Sequence, residues 1–153
     1  MKKLFSFIFI LLTAPGFAQA EPHVRASLIS KTDHIAPGKP FWVAVRLDMD
    51  QGWHTYYKNP GDSGLPTKIS WKLPAGFEAG KIQWPKPKKI TESAITNYIY
   101  EDRVDLAVRI APPANLKEET VNLSAKVSWL ECKDACVPGS SEVRLTLPVS
   151  KKP

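Results

Sequence analysis

Four stretches of this chain place apolar residues at every second position, and that alternation limits what it can fold into more than any other feature. Phe41, Val43, Val45, Leu47 and Met49 share one side, with Ala44, Arg46 and Asp48 on the other. Val104, Leu106, Val108 and Ile110 repeat the pattern against Asp105 and Arg109. Val121, Leu123, Ala125, Val127 and Trp129 do so opposite Asn122, Ser124, Lys126 and Ser128, and Val143, Leu145 and Leu147 close the set. Period two is the signature of half-buried strands, because successive side chains of a strand point to opposite faces. Fourteen prolines and eight glycines punctuate the chain, and no long amphipathic helical stretch lies between them. Val24–Ile29, Lys68–Trp71 and Tyr98–Tyr100 add shorter candidate strands. Seven or more short strands separated by turn signals predict an all-β, antiparallel β-sandwich. No internal repeat, low-complexity linker or second domain is visible.

The first 20 residues read as a secretion signal. Lys2 and Lys3 supply the positive start, Leu4 to Leu12 the apolar run, and Ala18-Gln19-Ala20 a small-residue cleavage site. The run is shorter than the roughly 20 residues a membrane span needs, so an integral membrane protein is not expected. Cleavage after Ala20 leaves residues 21–153 as one exported domain. Losing two lysines and no acids lowers the net charge from +6 to +4. The clustered basic residues, Lys86-Pro87-Lys88-Lys89 and Lys151-Lys152, are short and lack interleaved aromatics. They read as solvated surface, and nucleic acid is not an expected partner.

Only two cysteines occur, in Trp129-Leu130-Glu131-Cys132-Lys133-Asp134-Ala135-Cys136-Val137-Pro138. Four extended residues span about 13 Å, whereas a disulfide holds its Cα atoms about 4.4–6.8 Å apart. A bonded pair therefore requires Lys133-Asp134-Ala135 to turn back. Closing so small a loop removes little chain entropy, roughly 2 kcal/mol, which makes a purely structural staple a weak stabiliser. The inward stripe ending at Trp129 uses odd positions, so Cys132 and Cys136 should point away from the core. Lys133 favours a thiolate there, and Glu131 and Asp134 oppose one. The spacing is not Cys-x-x-Cys, and no βαβ pattern surrounds it. Zinc wants three or four ligands, while copper(I) is satisfied by two thiolates. A redox pair, a staple and a metal site all stay open on these residues alone.

Sequence around the cysteines and elsewhere resembles a known family. Cys136-Val137-Pro138, Ile99-Tyr100-Glu101-Asp102-Arg103-Val104-Asp105-Leu106-Ala107-Val108 and Gly52-Trp53-His54-Thr55-Tyr56-Tyr57-Lys58 are similar to the amino-terminal periplasmic domain of the thiol:disulfide interchange protein DsbD. A DsbD-like branch associated with copper tolerance is closer still. Asn59-Pro60-Gly61-Asp62-Ser63-Gly64-Leu65-Pro66-Thr67, Trp71-Lys72-Leu73-Pro74, Trp84-Pro85 and Trp129-Leu130-x-Cys132 are typical of it. The resemblance runs from about Val24 to Leu147. It implies an immunoglobulin-like sandwich and a thiol–disulfide relay, the work of a protein-disulfide reductase component. The partners it implies are a membrane-embedded thiol reductase as donor and periplasmic thioredoxin-fold proteins as acceptors. By position, Cys136 would form mixed disulfides and Cys132 would resolve them, with no cofactor and no resident metal. DsbD proper separates its cysteines by more residues and shields them with a Phe-Tyr pair in a cap loop. The matching stretch here, Thr91-Glu92-Ser93-Ala94-Ile95-Thr96-Asn97-Tyr98, lacks that pair, so Ile95 or Tyr98 is expected to take its place. The DsbD membrane reductase and thioredoxin-like domains are not in this sequence, which implies either partners supplied separately or recruitment to another use.

Other constellations read as structural. Gly61-Asp62-Ser63-Gly64 invites comparison with a serine-protease nucleophile segment, but so short a chain cannot supply two barrels, and a polar turn fits better. Glu21-Pro22-His23 would begin the mature chain, yet Pro22 has no N–H to give to a copper(II) site. His23, His34 and His54 are expected as surface or strand residues. Trp53, Tyr56, Tyr57, Trp71 and Trp84 are expected mostly in the core, a minority serving as a docking surface. The alternative to a relay is thus a non-catalytic immunoglobulin-like binding module, copper-related in one version, with a structural disulfide.

Overall fold

The computed structural model describes residues 21–150; the expected signal peptide and the Lys151-Lys152 tail lie outside the described residues. Ten strands follow one another: β1 (Val24–Ser30), β2 (Phe41–Met49), β3 (His54–Gly61), β4 (Lys68–Lys72), β5 (Glu78–Ala79), β6 (Lys88–Glu92), β7 (Ile95–Glu101), β8 (Arg103–Ala111), β9 (Thr120–Cys132) and β10 (Cys136–Pro148). One sheet has the order β1-β2-β8-β5, and the other runs β10-β9-β3-β7-β6 with β4 also paired to β9. The strand pairs are antiparallel, and the two sheets make an immunoglobulin-like sandwich. No helix among the described residues is long and apolar enough to cross a membrane.

The alternating stripes meet in register. Val43 lies opposite Val108, Val45 opposite Leu106, and Leu47 opposite Val104. In the facing sheet Val143 lies opposite Ala125, Leu145 opposite Leu123, and Leu147 opposite Val121. Val45, Leu47, Leu106, Val108, Leu123 and Val127 are wholly shut off from solvent. Each such side chain contributes about 1.5–3 kcal/mol by its removal from water. Trp71 pairs with Ala125, so a large ring fills the space a small neighbour leaves. On the outer face of the first sheet the polar positions pair across strands. Arg46 donates two hydrogen bonds of 2.8 Å to Asp105, and Arg103 donates one of 2.6 Å to Asp48.

Several strands exceed their sequence pattern. β10 begins at Cys136 rather than near Val143 and carries Pro138 within it, which an edge strand tolerates because one row of its N–H groups has no ladder partner. The Thr91–Tyr98 stretch forms the β6–β7 hairpin, closed by Ser93 (φ 48°) and Ala94 (φ 71°). Ser-Ala is not a favoured pair for two left-handed positions, so the sequence carries no turn signal there.

Candidate functional site

β9 ends at Cys132, and three strands converge on that residue. Cys136 of β10 lies directly across from it on one side, and His54, the first residue of β3, on the other. Lys133, Asp134 and Ala135 turn the chain back, as the spacing requires, and a disulfide joins the two cysteines with their Cα atoms 4.1 Å apart. Gly52 (φ 82°) makes room beside this turn: a Cβ there would stand 3.1 Å from Lys133 Cε. The pair thus sits at one end of the second sheet, in a hairpin resting on the β2–β3 turn.

The two sulfurs are unequally placed. Cys136 is exposed, whereas Cys132 is only 2% exposed. Alternation correctly turns Cys132 away from the main core, but that direction does not lead to solvent. A second apolar cluster lies on the outer face of this sheet, formed by Tyr56, Ile99 and Cys132 with Ile90 and Leu130 packed around them. Ile95 or Tyr98 was the expected cover, and neither provides it. Ile95 is half exposed at the hairpin tip, and Tyr98 points to the opposite face from Ile99.

Tyr56 is the cover. Its hydroxyl donates to Cys132 Sγ at 3.2 Å and lies 3.9 Å from Cys136 Sγ. The ring is held down by the segment that follows β3. Gly64 lies against the ring, and Pro66 forms a bridge with Tyr56. That segment is anchored to β7: Asp62 N donates to Thr96 O, Thr96 N to Asp62 Oδ2, and Asn97 Nδ2 to the carbonyls of Pro60 and Ser63. The Gly61-Asp62-Ser63-Gly64 turn therefore serves backbone geometry, and what it positions is a tyrosine over the disulfide.

Two further side chains complete the surroundings. His54 Nε2 lies 3.3 Å from Tyr56 Oη, with the rings edge to face. Burial lowers the His54 pKa below its usual value, against the smaller opposing effects of Glu101 and Glu92. Burial raises that of Tyr56, so its hydroxyl stays protonated and able to donate. Glu131 behaves unlike its sequence reading. It points to the other face of the sheet from Cys132, is buried, and accepts from Trp129 Nε1 at 2.8 Å and from the His23 backbone N–H at 3.1 Å. Its carboxylate therefore does not face the sulfurs. His23 itself stacks on Trp53 at 3.9 Å.

Residues 25–148 match the family described as thiol:disulfide interchange protein DsbD, N-terminal. The chain belongs to the DsbD N-terminal family. Among solved structures, the N-terminal periplasmic domain of ScsB from Proteus mirabilis is similar at 18% identity and a TM-score of 0.57. That likeness covers 88% of this chain and 49% of the ScsB chain, so the present chain spans about half of it. The reduced DsbD N-terminal domain of Neisseria meningitidis is similar at 15% identity and a TM-score of 0.44, covering 80% of this chain and 85% of that one. No curated protein matches in sequence. DsbD N-terminal membership accounts for a cysteine pair, and Cys132 and Cys136 are the only two this chain has. The sequence singled out neither His54 nor Tyr56 as a site residue. The signal was present in His54-x-Tyr56, two residues of one strand facing the same side, but it has meaning only once β3 is paired with Cys132.

Proposed function

We propose that this chain is a periplasmic thiol–disulfide exchange domain that passes electrons between a membrane-embedded thiol reductase and thioredoxin-fold proteins through Cys132 and Cys136. In this reading the signal peptide is removed after Ala20 and residues 21–153 work as one domain. The observation that carries it is the unequal exposure of the pair, Cys136 open and Cys132 buried under Tyr56. Exchange needs one sulfur a partner can reach and a second that waits beside it. The reduced domain attacks a partner disulfide through the Cys136 thiolate. One partner sulfur bonds to Cys136 and the other leaves with the electron pair. Cys132 then attacks Cys136, the Cys132–Cys136 bond forms, and the partner departs as a dithiol. The strand that begins at Cys136 also carries exposed apolar surface. Val137 is exposed on the face opposite the sulfurs, and Leu65 and Pro66 share a shallow groove with Pro138 and Gly139.

The test is the equilibrium reduction potential of the pair, measured in glutathione and dithiothreitol redox series. Exchange proteins fall between about −180 and −270 mV, and a value in that span is expected. A bond still oxidised below about −300 mV would mark a structural staple and leave the chain as a binding module.

A further inference from the structure

We propose that His54 is a positioning residue for exchange, acting through Tyr56 as the acceptor of the Cys132 proton when that cysteine resolves a mixed disulfide. The inference rests on the exchange reading above and adds the route by which a buried thiol becomes a nucleophile.

Three atoms form the route. Cys132 Sγ is 3.2 Å from Tyr56 Oη, which is 3.3 Å from His54 Nε2. The arrangement follows from strand geometry: His54 and Tyr56 are two apart on β3 and face the same side, and His54 is the residue paired with Cys132. A hydroxyl is both donor and acceptor, and a neutral imidazole has one acceptor nitrogen, so the chain can run in either direction. With the disulfide formed, Tyr56 donates to Cys132 Sγ. With Cys132 a thiol and Cys136 bonded to a partner, the S–H can donate to Tyr56 Oη and the Tyr56 O–H to His54 Nε2. As Cys132 Sγ attacks Cys136 Sγ, the new S–S bond forms and the bond from Cys136 to the partner breaks. The partner sulfur takes the electron pair, and the Cys132 proton reaches His54 through Tyr56.

Direct deprotonation is a poor alternative at this position. A solvated thiol is only about 3% thiolate at pH 7, and burial in apolar surroundings lowers that fraction. Burial of His54 keeps its imidazole neutral, and so an acceptor, to below the ordinary histidine value. The charged groups on the β7 side of it come from two strands. Glu101 is its pair on β7, Glu92 lies on β6, and Lys88 of β6 is bonded to Glu101 at 2.6 Å, which partly offsets the carboxylate. From β9 it faces Cys132, its register partner, and Lys133 of the turn that follows lies against Gly52, two residues before it.

The experiment follows the reduced, exported protein reacting with 5,5′-dithiobis(2-nitrobenzoate) in a stopped-flow instrument, from about pH 5 to about pH 9. One equivalent of nitrothiobenzoate is released as Cys136 is capped, and a second as Cys132 displaces the cap. A Cys132→Ser variant, giving one equivalent only, assigns the phases. The second phase should lose rate as pH falls through a value below about 6.5, the ordinary histidine pKa. His54→Gln and Tyr56→Phe should each abolish that inflection and slow the phase roughly tenfold at pH 7, within the limit of about thirtyfold set by the thiolate fraction. The double variant should be no slower than either single one, and the first phase should be unchanged in all. His54→Asn serves the same purpose if the Gln variant does not fold. An unaltered second-phase profile in either single variant, or losses that multiply in the double, overturns the proposal. If the native protein releases no second equivalent, the exchange reading itself fails.

Discussion

Replacing Gly64 with alanine should both destabilise the domain and lift the cover from Cys132. Two costs can be separated. Gly64 has φ 92°, a region in which an L side chain costs about 1–2 kcal/mol. Its new methyl would also stand 2.6 Å from Tyr56 Cζ, and closer still to Cε1 and Cδ1. Ordinary carbon contacts are about 3.5–4.0 Å, so the ring must retreat by about 1 Å, and overpacking of this kind costs about 1–3 kcal/mol. The sum is about 3 kcal/mol, or a fall of about 10 °C in Tm for a domain of this size. Urea and thermal unfolding of Gly64→Ala measure the total. Repeating the substitution in a Tyr56→Ala background removes the ring, so there only the backbone part, about 1–2 kcal/mol, should remain. Alkylation of the reduced protein should show Cys132 reacting faster in Gly64→Ala than in the native chain. A cost under about 1 kcal/mol, or an equal cost in both backgrounds, would refute the claim that the turn holds Tyr56 in place.

Two other substitutions test the frame around the site. Glu131→Ala strands the Trp129 indole N–H and the His23 backbone N–H, and should cost about 3–5 kcal/mol in urea unfolding, with Glu131→Gln milder because one acceptor oxygen survives; a loss below about 1 kcal/mol for the alanine variant would show that water satisfies both donors. Asp105 has its pKa lowered first by its hydrogen bonds with Arg46, so its ion pair stabilises the fold above the unfolded aspartate pKa of about 3.9 and loses that contribution as pH falls through the lower folded value. The native protein should thus exceed Asp105→Asn in urea midpoint at neutral pH, and the gap should close in acid. A gap that is constant with pH would remove the ion pair as its cause.

The division between sequence and structure runs along the two faces of the strands. The inner face was legible residue by residue: alternation along 41–49, 104–110 and 121–129 places Val45, Leu106 and Val127 inside, because a strand has period two and water excludes apolar groups. The position of the cysteines on a tight turn was legible too, since four residues cannot remain extended and still bridge. The outer face was not. In a two-layer sandwich, pointing away from the core ordinarily means pointing at water, and β9 alone predicts an open Cys132. Its burial depends on Tyr56, 76 residues earlier, and on the turn that holds that ring down through Asp62, Asn97 and Gly64. Glu131 follows the same rule in reverse: its odd position sends it inward, but the donors that make an inward carboxylate tolerable, Trp129 and His23, meet only in the folded chain. Periodicity is a local property and by itself determined the four alternating strands and the core between them, while chain reach determined the turn between the cysteines. The tertiary structure alone decided which sulfur is covered and which side chains stand beside it, because those contacts join strands whose register no local pattern encodes.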